Sequence, residues 1–282
     1  KKSQKHQTPN KQKIMIPTNN SAFLRGAWAI TKPGMCALLE SIKMAHQGMS
    51  MDDFFVTRRS MEIDDNGIAH IDIKGSLLDN VAPIHEMIGS TDYRTLRNEI
   101  AEAQDAKAIM FNIDSPGGTV AGLEEASEAI ASSAIPTVAY CDGMSCSAAY
   151  HLSASADNIV ASPSADVGNI GTVLSWYDDS AFMESIGYSQ EVMTNEGADL
   201  KGTFRDTPMT DSQREFLQEE TNRIGEEFQQ HVIAHRPNIN SEVFRAGWYH
   251  GTRAGELGLV DAIGSKEGAY AMLVNAVGLK SE

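Results

Sequence analysis

The chain has 282 residues, of which 41% are hydrophobic and 22% are charged, so it can form one large or two small domains with a sizeable core. Its net charge of −15 argues against broad electrostatic binding to nucleic acid or anionic lipid, and favours a protein or peptide as the partner. The three cysteines have the spacing of neither a metal site nor a disulfide framework, which fits a reducing, intracellular setting.

The amino-terminal region divides into two parts. Residues 1–26 begin with five lysines in thirteen positions and no signal-like apolar run follows, which predicts a disordered basic tail. Residues 27–66 begin with apolar residues at roughly helical spacing from Ala27 to Gln47, which predicts a helical extension and then a polar linker. We expect no membrane anchor, because no segment reaches the roughly 18 apolar residues that a membrane-spanning helix needs.

Residues 67–282 alternate between strand and helix patterns. Strands are predicted over Ile68–Gly75, Ala108–Ile113, Pro136–Cys141 and Asn158–Ala161, with a turn at Asp142–Gly143. Helices are predicted from Asp92, over Leu123–Ser132, from Ser147, from Thr210 and over Ala269–Val277. Such repeats are typical of an α/β domain with parallel strands and crossover helices.

Two motifs at the ends of predicted strands have chemical potential. The glycines of Asp114-Ser-Pro-Gly-Gly118 allow backbone N–H groups to point into an open site, although a plain tight turn explains the motif equally well. Gly143-Met-Ser-Cys-Ser-Ala-Ala-Tyr150 leads into a helix of small residues. Ser147 would lie there beside unpaired amides that can stabilise an oxyanion, or it would be an ordinary N-cap.

A serine nucleophile needs a general base, and the sequence offers two kinds. His151 follows Ser147 by four residues and would share a helical face with it, but no Asp or Glu is placed to orient the ring. Lys201 is the single lysine between Lys107 and Lys266, and a glycine follows it. A lysine in such a loop is either a solvated charge or, when desolvated beside the serine, a base of lowered pKa.

Together with further motifs, these residues resemble the signal peptide peptidase A family of Ser–Lys peptidases. That resemblance implies a Clp protease/crotonase type of fold, an α/β superhelix of repeated strand–helix units, with the peptidase domain over residues 67–282. It extends from about Ile68 to Gly264 and comprises six motifs in family order. The motifs are Ile113-Asp-Ser-Pro-Gly-Gly118, Ser147-Ala-Ala-Tyr150, Ala156-Asp157, Gly168-Asn-Ile-Gly171, the loop of Lys201, and Tyr249-His-Gly-Thr-Arg-Ala254 with Gly258-Leu-Val-Asp-Ala-Ile-Gly264.

The resemblance also implies a role for individual residues. Ser147 would be the nucleophile, Lys201 the general base, and the backbone amides of Gly118 and Ala148 the oxyanion hole, with Gly117 in a supporting position. The implied reaction is attack on a peptide carbonyl, formation of an acyl-enzyme and deacylation by water that the same lysine activates. The family needs no metal and no cofactor for this reaction.

Two features of the lysine's surroundings follow from the same resemblance. Asn169 stands where the family usually has a serine that helps to hold the lysine, and an Asn carbonyl can accept a hydrogen bond from the amine. In bacterial relatives the subunits form rings in which the lysine can reach a neighbour's serine. The resemblance therefore implies a homo-oligomeric ring in which Ser147 and Lys201 pair between subunits.

The segment Ala27-Trp-Ala-Ile30 is similar to that of phage-encoded members, which cleave scaffold and capsid proteins in the assembling head. We therefore expect a head-maturation protease of the host cytoplasm or assembling capsid. The alternatives are a cytoplasmic housekeeping peptidase, a crotonase-type acyl-CoA enzyme, and an inactive capsid-associated protein. Cys146 as nucleophile is not favoured because it lies one residue from the nucleophile position, and no third ligand completes a metal site at His231 and His235.

Overall fold

The computed structural model describes residues 27–30, 61–79, 89–176, 178, 180–189, 191, 193–201 and 209–279. Its strands are β1 Ala27–Ile30, β2 Glu62–Ile63, β3 Ile68–Lys74, β4 Leu77–Leu78, β5 Thr91–Asp92, β6 Ala108–Ser115, β7 Gly117–Thr119, β8 Thr137–Cys146, β9 Asn158–Ala161, β10 Asp166–Gly168, β11 Val173–Leu174, β12 Trp248–His250 and β13 Ala262–Ile263. Its α-helices are α1 Tyr93–Glu102, α2 Leu123–Ala131, α3 Ala148–Ala154, α4 Ser180–Ser185, α5 Asp211–His235, α6 Gly251–Glu256 and α7 Lys266–Ala276.

The larger of two sheets is built from repeated strand–helix units. Its strand order is β12-β10-β8-β6-β3-β2, and β9 continues from β8 with β13 beyond it. The pairs within β3, β6, β8, β9 and β10 are parallel, whereas β2 and β12 pair antiparallel at the ends of the sheet. The predicted α/β class, with parallel strands and crossover helices, is confirmed. β6 lies between two strands and is buried along nearly its whole length, as its continuous apolar run indicates.

The helices begin where the sequence supplies caps. The side chain of Asp92 accepts hydrogen bonds from two backbone N–H groups in the first turn of α1. Thr210 and Gln213 form a capping box at the start of α5, in which each side chain bonds the other residue's backbone. These local interactions explain why both helices begin where the sequence predicts.

The turn predicted at Asp142–Gly143 is wrong, because β8 continues to Cys146. The register between β6 and β8 shifts near the carboxyl end of β6, so the strand passes through an irregularity instead of turning. The Asp114 side chain accepts a hydrogen bond from the backbone N–H of Met144, 2.9 Å away, and holds this irregular part of β8. As a result, β8 leads directly to Ser147.

The smaller sheet has the order β11-β1-β7-β4-β5, and its strand β1 contradicts one prediction. Ala27–Ile30 does not begin a helix but pairs antiparallel with both β7 and β11. Most of the apolar residues with helical spacing lie after Ile30, so the pattern does not determine the state of Ala27–Ile30, where backbone partners distant in sequence decide the outcome. The rest of the predicted helical extension, most of the linker and the basic tail lie outside the described residues; the end of the linker forms β2.

Two buried tyrosines hold the segments that contain Gly118 and Ser147 against the rest of the fold. Tyr93 and Tyr150 are the largest fully buried side chains of the described residues. The Tyr93 hydroxyl donates a hydrogen bond to the Thr119 carbonyl of β7 at 3.0 Å, and that of Tyr150, in α3, donates to the Leu259 carbonyl at 2.8 Å. No helix within the described ranges is long and apolar enough to cross a membrane.

Candidate active site

Ser147 lies between β8 and α3, where the chain changes from strand to helix within one residue. Its φ of +57° and ψ of −123° fall in a sparsely populated region for a residue with a Cβ. Its backbone N–H donates to the Gly168 carbonyl at 2.8 Å, and its hydroxyl donates to the Gly171 carbonyl at 3.4 Å. The hydroxyl makes no N-cap bond to α3, so the ordinary N-cap interpretation is wrong. A strained strand-to-helix turn of this kind presents the serine hydroxyl in a nucleophile elbow.

The helix that follows Ser147 is buried at every position. Ala148 and Ala149 are fully buried, and their small side chains let the start of α3 pack closely against the core. As the first residue of α3, Ala148 has a backbone N–H without a partner inside the helix. That amide is available beside Ser147, where the sequence predicts an oxyanion donor.

The segment that contains Gly117 and Gly118 approaches the strands beside it closely. Ser115 donates to the Gly75 carbonyl at 2.6 Å and accepts a hydrogen bond from the Gly117 N–H at 3.1 Å. Gly117 has a φ of +102°, and a Cβ on Gly118 would overlap the carbonyl oxygen of Leu77 in β4. Because Ser115 already uses the Gly117 amide, Gly118 is the better candidate for an oxyanion donor.

Lys201 lies in an exposed turn. Its backbone N–H donates to the Ala198 carbonyl at 3.0 Å. Its side chain makes no hydrogen bond or ion pair with any residue of the described ranges, Ser147 included. Within a single chain, therefore, the predicted nucleophile and base are not brought into contact.

Asn169 holds two loops together. Its φ is +55°, a left-handed conformation that asparagine tolerates better than most residues. Its backbone N–H donates to the Gly247 carbonyl at 2.7 Å, and its side-chain amide donates to the Ala246 carbonyl at 2.8 Å. The side-chain carbonyl is the group that remains to accept a hydrogen bond from a lysine.

His151 does not serve as the base for Ser147. One of its ring nitrogens, Nδ1, lies 2.6 Å from the Ser127 hydroxyl, and its ring stacks on that of His231 with centroids 3.6 Å apart. Burial lowers the pKa of His151 well below its usual value, and mainly burial lowers the pKa of His231 to about 4. Both rings are therefore neutral at pH 7 and pack between α3 and α5.

One group of side chains in the described ranges brings potential metal ligands together. Ligand atoms of Glu124, His151 and His231 lie within 4.8 Å of one another. The two rings are inclined by only 12°, so their in-plane lone pairs lie side by side instead of converging on one point. This geometry suits stacked neutral rings better than a coordinated ion. No local sequence pattern predicts the group, because its members come from three separate helices.

Cys146 is a buried thiol next to the candidate nucleophile. Burial, together with the nearby Asp166 carboxylate, raises the pKa of Cys146 to about 12. The thiol donates to the backbone carbonyl of Asp166 at 3.4 Å. These properties agree with the small buried role predicted for it.

The surroundings of the site include a groove and a cavity. Strand β1 lies between β7, which contains Gly118, and β11, which begins two residues after Gly171. A cavity of about 850 Å³ extends from Val120 and Thr172 to the α5 residues Ile224 and Phe228. The cavity has room for side chains of a bound peptide, whereas the groove between β7 and β11 is filled by β1.

Comparisons with known proteins show the family to which the chain belongs. The sequence model of peptidase family S49 matches residues 129–280, more than half of the chain, and that of the NfeD1b N-terminal domain matches residues 71–181. A predicted protease of Methanocaldococcus jannaschii is 30% identical over 64% of this chain and 60% of its own length. Capsid assembly protease C of Escherichia phage lambda is 25% identical over 75% of this chain and 50% of its own.

The chain thus spans between half and three fifths of the length of these two relatives. Among solved structures, a membrane-bound stomatin-specific protease in complex with a substrate peptide is 13% identical. It has a TM-score of 0.45 over 74% of this chain and 80% of that one.

Proposed function

Because the chain belongs to peptidase family S49, we propose that it is a serine endopeptidase with Ser147 as nucleophile and Lys201 as general base. The observation that carries the proposal is the backbone of Ser147, which holds a buried serine in a strained strand-to-helix turn. Strain of this kind persists only where the surrounding structure enforces it, and it is concentrated at functional sites. Family membership itself favours a peptidase over the acyl-CoA enzyme.

The proposed reaction begins when Ser147 Oγ attacks the carbonyl carbon of a peptide bond and the neutral Lys201 amine takes the hydroxyl proton. The backbone amides of Gly118 and Ala148 stabilise the negative charge on the former carbonyl oxygen. The lysine ammonium then protonates the departing amine, which leaves an acyl-enzyme. Water attacks the acyl-enzyme as Lys201 accepts its proton, and Ser147 is regenerated.

Pairing between subunits is the form of the Ser147–Lys201 dyad that we propose. Lys201 is exposed in the single chain and makes no contact with Ser147. The segment before it carries apolar side chains that are more than half exposed, a pattern that favours an interface over a free surface. These side chains are Phe182, Ile186, Tyr188 and Met193. Burial of this segment in a ring would desolvate the Lys201 amine, and desolvation favours the neutral form that a general base requires.

For the substrate, we propose a scaffold or capsid protein cleaved during the assembly of a phage head. The support is the similarity to capsid assembly protease C of phage lambda over 75% of this chain. The net charge of −15 agrees with a protein substrate instead of nucleic acid.

The test is intact-mass spectrometry after exposure to a fluorophosphonate, which phosphonylates activated serines. We expect a single adduct on the wild type and none on Ser147→Ala or Lys201→Ala. A mixture of the two variants should regain peptidase activity if the dyad forms between subunits. Absence of an adduct on the wild type, with normal assembly, would instead favour an inactive capsid-associated protein. A mixture that assembles but stays inactive would rule out pairing between subunits.

A further inference from the structure

Strand β1 occupies the edge of the strand that contains the candidate oxyanion donor. Gly118 of β7 has Leu77 of β4 on one side and Ala29 of β1 on the other. On its far side β1 pairs with β11, where Trp28 lies opposite Val173. Both neighbours of β1 therefore continue directly from residues of the site, Gly118 itself and Gly171.

The groove between β7 and β11 has room for one extended chain. Paired strands lie about 4.8 Å apart, so two strands that flank a third are separated by about 10 Å. With β1 in place, that edge of β7 has no backbone groups left for another peptide. A peptide that binds by adding a strand to β7 must displace β1.

The direction of β1 is the one that a substrate needs. From Trp28 to Ile30 the strand runs from Thr119 toward Gly117, which follows Ser115 by two residues. Ser115 in turn pairs with Ser145, two residues before Ser147. The carboxyl end of β1 is thus directed toward the end of the larger sheet where Ser147 follows β8.

We propose that β1 is an intramolecular pseudosubstrate, bound where the peptidase holds the segment before the scissile bond. The inference rests on the proposed function and extends it: the chain inhibits itself, and its preferred ligand is an extended peptide with the backbone pairing of Ala-Trp-Ala-Ile. β1 pairs over only three residues with β7 and two with β11, so a protein substrate at high local concentration can displace it.

The experiment uses the full chain with Ala29→Pro, because proline removes the N–H of the central residue of β1 and restricts its φ. Glu62→Pro in β2 is the matched control, since it places a proline in a short end strand of the other sheet. Two readouts are taken: the rate of fluorophosphonate labelling of Ser147, and hydrogen–deuterium exchange at residues 117–119. The exchange readout does not depend on activity.

We expect Ala29→Pro to accelerate labelling at least fivefold and exchange at residues 117–119 about tenfold, while Glu62→Pro changes neither. Acetylated, amidated Ala-Trp-Ala-Ile peptide should restore protection and slow labelling of Ala29→Pro, whereas Ala-Trp-Pro-Ile should not. Equal labelling of wild type and Ala29→Pro would overturn self-inhibition. If no variant is labelled, the proposed function fails, and unchanged exchange in Ala29→Pro would then also overturn the placement of β1 in the groove.

Discussion

The two residues proposed to act together lie in regions that are built in opposite ways. Ser147 is 1% exposed and joins a central strand to a fully buried helix. Lys201 is exposed and follows a segment in which the Met193 side chain is 84% exposed. The core of a single chain thus fixes the position of the nucleophile, whereas the position of the base depends on whatever covers the Lys201 segment. Substitutions in the two regions should therefore differ in how activity and stability change together.

Ser147→Gly should separate activity from stability most strongly. Peptidase activity should fall by about four orders of magnitude because the nucleophile is lost. The free energy of unfolding should rise by about 1 kcal/mol, because glycine adopts a φ of +57° without the strain of a Cβ. Peptide hydrolysis and urea unfolding measure the two effects. A less stable Ser147→Gly variant would show that the turn is not strained.

Lys201→Arg should lower activity and leave stability almost unchanged. The guanidinium stays protonated and cannot accept the serine proton, so activity should fall by roughly 10²- to 10³-fold. The free energy of unfolding of the isolated chain should change by less than about 0.5 kcal/mol, because the side chain is exposed. A loss of more than about 1 kcal/mol in the free energy of unfolding would mean that Lys201 already packs within one chain. That result would contradict the contrast between a buried nucleophile and an exposed base.

Gly118→Ala should impair activity and stability together. Because its Cβ would overlap the Leu77 carbonyl oxygen, β4 and β7 must separate, and the Gly118 amide moves with them. We expect activity to fall by about 100-fold and the free energy of unfolding to fall by about 2 kcal/mol.

The matched control for this variant is Gly225→Ala in α5, where a new Cβ meets nothing within 4 Å. Alanine should stabilise that helix by about 0.5–1 kcal/mol and leave activity unchanged. Thermal unfolding and peptide hydrolysis distinguish the two glycines, and equal effects would contradict the close approach at Gly118.

The packing of α3 against α5 should make the stability of the nucleophile region sensitive to pH. Burial lowers the pKa of His231 to about 4, while the unfolded chain binds a proton near 6.5. The unfolded state therefore binds more protons between these values, so stability is full above about pH 6.5 and is lost as the pH falls toward 4. His235 disfavours a charge on His231, whereas the His151 carbonyl oxygen, 3.1 Å from His231 Nε2, favours it. The exposed carboxylate of Glu124 lies across from His151.

His231→Asn should remove about 2 kcal/mol of this loss between pH 7 and pH 4.5, as measured by urea unfolding at each pH. The exposed Gln230 provides the control, because Gln230→Asn places an asparagine beside His231 in α5 without removing a titrating ring, and it should keep the wild-type slope. If His231→Asn also keeps it, protonation of the buried rings does not limit stability in acid.

The sequence predicts those parts of the fold that local patterns determine. The strand Asn158–Ala161 and the helix that starts after Thr210 lie where they are predicted, because their apolar spacing and caps are local. Two predictions fail where partners distant in sequence decide the outcome. Ala27–Ile30 becomes a strand through β7 and β11, and β8 continues past Asp142 with the help of Asp114.

The same distinction between local patterns and distant partners applies to the candidate site. Ser147 and Gly118 are found by motif, since each lies in a short pattern at the end of a strand. The bond from Gly117 to Ser115 and the stacking of His151 on His231 are not predictable from local sequence. They depend on the register of neighbouring strands and on helices that are 80 residues apart.

Ser145→Ala should have the smallest effect on activity and is the sharpest control for the nucleophile. Ser145 is fully buried, and its hydroxyl lies 2.7 Å from that of Ser153 in α3, which itself donates to the Ala149 carbonyl. Its role is thus to join β8 to α3, and its removal should cost about 1 kcal/mol of unfolding free energy. Fluorophosphonate labelling should stay within twofold of wild type, because Ser147 two residues later keeps its turn and its contact with Gly171. Loss of labelling in Ser145→Ala, with labelling retained in Ser147→Ala, would move the nucleophile to Ser145.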